Sequence, residues 1–170
     1  MDLDTAIRTR RTHKVYGPEP VDRATLDGLL ELATWAPNHN LTNPWRFRVI
    51  GPAALAALRE AAGPEAAAKL DRAPTLICVS VVQSGDDPVA DEEDLLAAGA
   101  ATYALLLGAH ARGLAAYWRT PGVLRTDAGR AALRLPASER AIALVYVGPL
   151  RQEKAAPARA PLADVVTYLD

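Results

Sequence analysis

Three short stretches carry the side chains best suited to chemistry. Arg10-Arg11-Thr12-His13-Lys14 gathers cations and a hydroxyl within five residues. Ala36-Pro37-Asn38-His39-Asn40-Leu41-Thr42-Asn43-Pro44-Trp45 is a polar loop pinned between two prolines, with Trp35 and Trp45 just outside them. Trp118-Arg119-Thr120-Pro121 follows a short apolar run. Guanidinium forks and hydroxyls suit a phosphate. Edge donors beside apolar surface suit a planar heterocycle. Together the stretches suit a flat, anionic, hydrogen-bonding ligand.

Each stretch also has a plainer explanation. Cations at a helix C-terminus are favourable by a few tenths to about 1 kcal/mol. Asparagines serve turns, and a strand end is a common place for any polar group. Arg10 resists the first explanation. It continues the side of a helix marked by Leu3, Ala6 and Ile7, so it is expected to point partly inward and to need an anionic partner. Two of only three tryptophans flank the second stretch, which weakens the second explanation.

Other chemistries lack support. There is no G-x-x-x-x-G-K-[ST] loop, no G-x-G-x-x-G fingerprint and no G-x-S-x-G elbow. His13, His39 and His110 lack metal-ligand spacing, and no C-x-x-C or H-E-x-x-H occurs, so no metal is expected. No side chain stands out as a general acid, and none is assigned a catalytic role. Redox chemistry survives this elimination, because a cofactor brings its own reactive atom.

The elements that must position these residues can be read from periodicity. The chain has 170 residues, enough for one domain with a core. Its formal net charge of −1 argues against general nucleic-acid or anionic-membrane affinity. A helix is expected over about 4–11, and a second from the cap Asp22 with the stripe Leu26, Leu29, Leu30, Ala33. Arg46–Ile50 alternates as a half-buried strand does. Two Ala-rich helical pieces follow, broken at Gly63-Pro64. The run Thr75–Val82 reads as a strand buried on both faces. It holds the lone Cys78, a buried thiol suited to a reducing compartment.

Asp91, Glu92, Glu93 and Asp94 crowd the expected start of a central helix, where the dipole favours them. Leu95–Ala111 is apolar nearly all round, too short and mixed for a good membrane span, and fits a core helix or a subunit interface. Strands are expected at Leu114–Trp118 and Ile142–Val147, with a helix near 126–133 between them. Residues 1–150 are thus expected to form one domain. Residues 151–170 read as an extended arm with an apolar anchor at Pro161–Val166, suited to wrapping a partner subunit. The polar, helical N-terminus carries no apolar leader, and a cytoplasmic location is expected.

The three stretches also occur in the order found in the FMN-dependent nitroreductase family. Arg10 to Tyr16 resembles the opening motif R-R-[ST]-x-[RK]-x-[FY]. Ala36 to Phe47 resembles the loop A-P-S-x-x-N-x-Q-P-W-x-F. Pro161 to Val166 resembles the closing P-L-x-[ED]-[VL]-[VI]. The nearest pattern is that of short members with P-[DN]-H-[KN] in the loop and a late W-R-[ST]. The resemblance covers essentially the whole chain. It departs from the family at Leu41, where an asparagine is usual, at Asn43, where a glutamine is usual, and in lacking the long insertions of larger members.

The resemblance implies an α+β fold, a mostly antiparallel central sheet flanked by helices, in an intertwined homodimer with FMN at the subunit interface. By position, Arg10, Arg11 and Thr12 would hold phosphate and ribityl groups, and Lys14 would reach the pyrimidine edge of the flavin. Asn38, His39 and Asn40 would come from the other subunit. Trp118, Arg119 and Thr120 would complete the site, with Trp35 as a further contact. The implied activity passes hydride from NADH or NADPH through the flavin to a small organic acceptor such as a nitroaromatic or quinone. Two rivals remain at this stage. One is an FMN-storing protein with little turnover. The other is a weak nucleic-acid binder using Arg8 to Lys14, disfavoured by charge and by the lack of interleaved aromatics.

Overall fold

Four runs rich in β-branched and apolar residues form one sheet. In the computed structural model, which describes residues 1–169, these are β1 (Trp45–Val49), β2 (Thr75–Val82), β3 (Leu114–Arg119) and β4 (Glu139–Pro149). Their order is β1-β2-β4-β3, and every neighbour pair is antiparallel. The helices are α1 (Leu3–Thr9), α2 (Arg23–Ala33), α3 (Pro52–Ala62), α4 (Pro64–Ala67), α5 (Pro88–Ala111) and α6 (Asp127–Ala132). The α+β architecture expected from the resemblance is present.

The period of two in β2 and β4 explains the layering. Ile77, Val79 and Val81 face one side with Ala143, Val145 and Val147, and there they meet α2 and α5. Leu76 and Cys78 face the other side with Leu144 and Tyr146, beneath Leu58 of α3 and Leu133 beyond α6. Both faces of the two central strands are covered, so these strands read as continuous apolar runs. Burial pushes the Cys78 thiol up to about 12, which leaves it inert as a nucleophile.

One polar clamp crosses the sheet. Arg48 of β1 donates to Glu139 of β4 at 2.7 and 3.0 Å and to Ser80 of β2 at 2.9 Å, while the Ser80 hydroxyl donates to Glu139 at 2.6 Å. Burial alone would raise the Glu139 pKa. The hydrogen bonds from Arg48 and Ser80 outweigh it and hold the carboxyl below its ordinary value. The clamp sits beside the bulge where the β2–β4 register shifts between Val79 and Ser80.

Several boundaries differ from those read in the sequence. Helix α1 stops at Thr9, two residues early, because Arg10 turns extended and leads a segment along β3. Leu3 and Ile7 are exposed and only Ala6 of that side is buried. Arg10 is half-buried, but its neighbour is aromatic rather than anionic: its guanidinium lies 6.0 Å from the ring centre of Tyr103. Helix α5 begins at Pro88, capped by the Asp87 side chain, so only Asp91 of the four acids lies in its first turn. By length and composition α5 could cross a membrane. It packs against α2 and the sheet and leaves Leu96 and Tyr103 exposed on its outer side. Residues 151–169 are exposed throughout and contain one short turn, Leu162–Asp164. Asp170, the last residue of the expected arm, lies outside the described residues.

Candidate active site

The first stretch becomes a fifth, irregular rung on the sheet. Thr12 pairs in parallel with Ala116 of β3, and the His13 amide donates to the Ala116 carbonyl at 3.2 Å. Tyr16 fixes the far end. Its hydroxyl donates to the His13 carbonyl at 2.6 Å, and its backbone bridges to Leu150. Gly17 is needed next, since a Cβ there would lie 2.8 Å from the Pro149 side chain. The first and third stretches are therefore adjacent, laid along one edge strand.

This rung meets the start of the arm in a basic cleft of about 380 Å³. Arg10, Arg11, Thr12, Lys154 and Arg159 line it, and among the described residues no acid does. Lys154 Nζ donates to the Thr12 carbonyl at 3.0 Å. Arg11 is heavily engaged: it donates to the carbonyls of Arg10 and Arg8 at 2.6 Å each and of Ala155 at 3.2 Å. It thereby closes the end of α1 and ties the arm to it. Arg10 and Arg159 are the freer cations. Lys14 extends the other way, its ammonium 6.0 Å from the Tyr117 ring centre. Lys154 and Arg159 are absent from the sequence reading. Their only sequence signal is basic residues in a Pro- and Ala-rich tail, and nothing in that spacing says the tail folds back.

Two histidines lie near these cations. Burial, then the charges of Lys154, His110 and Arg10, lower the His13 pKa below its ordinary 6.5. Burial, then Arg10 and Arg11, lower that of His110. Thr9 gives its hydroxyl proton to the Thr5 carbonyl, so its oxygen accepts from His110 Nε2 at 2.8 Å. Both imidazoles are thus biased to the neutral form, first by burial and then by the surrounding positive charge.

The third stretch splits between faces. Trp118 turns toward α5, near Gly99, and its indole N–H donates to the Ile142 carbonyl at 3.4 Å. A cleft of about 770 Å³ opens beside Trp118 and Thr120. Arg119 turns to the opposite face and reaches the Tyr146 hydroxyl at 3.5 Å. Period-two alternation dictates this separation.

The second stretch lies elsewhere in the protomer. His39 Nδ1 meets Glu93 Oε2 at 2.5 Å, and the Thr42 hydroxyl donates to Asp94 at 2.6 Å. A carboxylate only accepts, so His39 carries its proton on Nδ1 and presents Nε2 outward. Two of the acids at the start of α5 therefore hold this loop, beyond any interaction with the helix dipole. Asn38 accepts from the Asn43 amide at 2.9 Å. Tyr103, beside Arg10, is ten residues along α5 from Glu93, about 15 Å. Within one chain, then, His39 is not brought to the basic cleft.

The loop is strained and bare. Asn40, Leu41 and Asn43 all adopt positive φ, at 51°, 53° and 46°. Asparagine tolerates this region, whereas leucine does so at a cost of about 1–2 kcal/mol. Leu41 is 76% exposed and Trp35 is 80% exposed. A strained leucine and a bare tryptophan beside outward-facing polar groups are features of a contact surface. Trp45, in contrast, is core.

The profile of the family described as "Nitroreductase family" matches residues 7–149. The chain is 31% identical to a "Putative NAD(P)H nitroreductase" of Haemophilus influenzae, over 99% of this chain and all of that protein. It is 29% identical to "Putative NAD(P)H nitroreductase YfhC" of Bacillus subtilis, over 98% and 94%. Among solved structures, a Bacillus cereus nitroreductase-like protein superposes with a TM-score of 0.90 at 22% identity, covering 100% and 97%. A Desulfovibrio desulfuricans protein described as "a putative nitroreductase in complex with fmn" superposes at 0.82 with 30% identity, covering 98% and 95%.

Proposed function

The chain belongs to the nitroreductase family, and from that footing we propose that it is a homodimeric FMN-dependent oxidoreductase drawing on NADH or NADPH. When bound, FMN would supply the hydride chemistry that takes electrons from the nicotinamide and delivers them to a small organic acceptor. What carries the assignment is the acid-free cleft of Arg10, Arg11, Thr12, Lys154 and Arg159 beside the β3 edge. Its donor set fits a phosphate: guanidinium, ammonium and hydroxyl groups, with no carboxylate to compete. Beyond burial, the crowding of cations adds to the depression of both histidines, and that part is what a bound dianion would relieve.

The chain's own residues take distinct parts. Arg10, Lys154 and Arg159 hold the phosphate. Arg11 keeps the end of α1 and the arm in place to do so. Thr12 lies along β3, with Lys14 and Arg119 on one face of that strand and Trp118 and Thr120 on the other. Asn38, His39 and Asn40 act across the subunit interface, since in their own chain they stand about 15 Å along α5 from Arg10. Trp35 and Leu41, bare in the protomer, are covered there. Glu93 fixes the His39 tautomer with Nε2 free.

The test is direct. The purified protein is expected to be yellow, or to quench FMN fluorescence at micromolar concentration, and to bleach anaerobically on adding NADPH or NADH. A protein that neither carries nor binds flavin would remove the proposal. Flavin binding without bleaching by either nucleotide would assign a storage role instead.

A further inference from the structure

Among the described residues His13 is the only buried histidine, 5% exposed, and the proposed function does not use its side chain. Three elements surround the ring. The segment after α1 brings Arg10, the last turn of α5 brings His110, and the arm brings Lys154 and the Gln152 backbone. Arg10 and Lys154 are cations, and His110 becomes one on protonation. From β3 comes only backbone, the Ala116 carbonyl that accepts from the His13 amide. Glu153, the acid of this part of the arm, is exposed and joins no ion pair among the described residues. Burial, then Lys154, His110 and Arg10, oppose a charge on the ring, and the Gln152 backbone, which favours one, has the smallest effect of the five.

A proton on His13 therefore requires one wall to give. Two walls are fixed. Helix α5 is packed on α2 and the sheet, and the rung is bridged to β3 and closed by the 2.6 Å bond from the Tyr16 hydroxyl. The arm is the loose wall. Residues 151–155 are exposed and lie outside any helix or strand. Lys154 Nζ on the Thr12 carbonyl at 3.0 Å and Arg11 Nε on the Ala155 carbonyl at 3.2 Å hold them, both at the surface. Segments held so lightly open locally while the core stays folded.

We propose that residues 151–155 form an acid-released strap over the basic cleft, with His13 beneath it as the sensor. Near neutral pH the ring is uncharged and the strap lies closed, with Lys154 in the cleft. Opening removes Lys154 from the ring and admits water, so the open arm binds the proton more readily than the closed one. Opening is then favoured as pH falls below about 6.5, the ordinary histidine value. A phosphate dianion in the cleft offsets Arg10 and Lys154, lets the ring take its proton in place and keeps the strap closed. That the strap governs flavin exchange rests on the function proposed above, whereas its release by acid does not.

The experiment follows the full-length, 15N-labelled chain by NMR from pH 7.5 to pH 5.5, flavin-free and with FMN. The heteronuclear NOE of residues 151–155 reports the order of the strap, and the His13 ring proton reports its titration. Without flavin the NOEs are expected to fall toward those of a free tail, with the pH midpoint of the His13 ring. In His13→Gln, whose side chain forms hydrogen bonds but takes no proton, they are expected to stay level. His110→Gln is expected to keep the fall, and wild type with FMN to hold the NOEs high throughout. A strap whose order is unchanged while His13 titrates would overturn the proposal. So would a fall that persists in His13→Gln or vanishes in His110→Gln. Should His13→Gln fold poorly, the wild-type titration decides alone, since separate midpoints for the ring and the strap would also overturn it. Failure of the wider function is separately visible. If FMN does not bind while the flavin-free strap still opens with His13, the cofactor assignment goes and the strap stands. If FMN binds to a strap indifferent to pH, the reverse holds.

Discussion

Arg10 and Arg11 are adjacent and identical in chemistry, yet the structure gives them different work. Arg11 spends its donors on three carbonyls, whereas Arg10 rests on Tyr103 with its hydrogen-bonding capacity in hand. Arg10→Ala and Lys154→Ala are therefore expected to weaken FMN roughly ten- to a hundredfold, the loss of one charge-assisted hydrogen bond of about 1.5–3 kcal/mol. Riboflavin, which lacks the phosphate, should change little. Arg11→Ala should also loosen the α1–arm junction and so weaken both flavins. Parallel fluorescence titrations separate the cases, and equal losses for Arg10→Ala would move that residue off the phosphate. At Leu41 the backbone is left-handed without a side chain suited to it. Leu41→Asn should stabilise the isolated loop yet weaken dimerisation if the leucine is buried by a partner, as urea denaturation and sedimentation would report together.

At the level of elements, the Arg48–Ser80–Glu139 clamp ties β1, β2 and β4 across the one register shift in the sheet. Removing one partner of such a pair costs about 3–5 kcal/mol, so Glu139→Gln should lower the urea midpoint strongly. The pH dependence has two steps. His13 and His110 have folded pKa values below 6.5, so the unfolded chain binds protons first, and stability declines as pH falls below about 6.5. Glu139 has a folded pKa below 4.5, so its contribution is present above that value and is lost as pH falls further. Urea midpoints from pH 8 to pH 4 should show both declines. Inorganic phosphate in the basic cleft should raise both folded histidine pKa values toward 6.5 and so shrink the first decline. Much of this architecture was legible in advance. The β2 run, the α2 stripe and the Gly63-Pro64 break all follow from short-range periodicity and turn chemistry, and they were placed nearly as observed. What escaped depends on distant chain. Nothing near Lys154 in sequence announces Thr12, and nothing near Glu93 announces His39. The exposure of Leu3 and Ile7 was missed because periodicity marks an apolar side without saying what will cover it.

For the whole molecule, the bare set Leu96, Tyr103, Trp35 and Leu41 and the unburied arm point to assembly. The expected species is an obligate dimer, and cutting the chain after Pro149 should weaken dimerisation and FMN affinity together. A truncated chain that stays dimeric and binds FMN as tightly would make the arm dispensable. On the proposed function, one slot at the cofactor is expected to serve both substrates, so initial rates with nicotinamide and acceptor should give parallel double-reciprocal lines, and intersecting lines would require both at once. The arm also bears on protein turnover. Through residue 169 it is exposed and carries Arg151, Lys154 and Arg159, yet Lys154 and the Ala155 carbonyl are held by the segment proposed to face the cofactor phosphate. A protease cuts where the chain spends time open. Cofactor supply would then set how long each copy survives: flavin-starved chains are trimmed at the tail and lose the ability to recover. The expected signature is a trypsin half-life that lengthens with FMN but not with riboflavin, followed by mass spectrometry of the released tail.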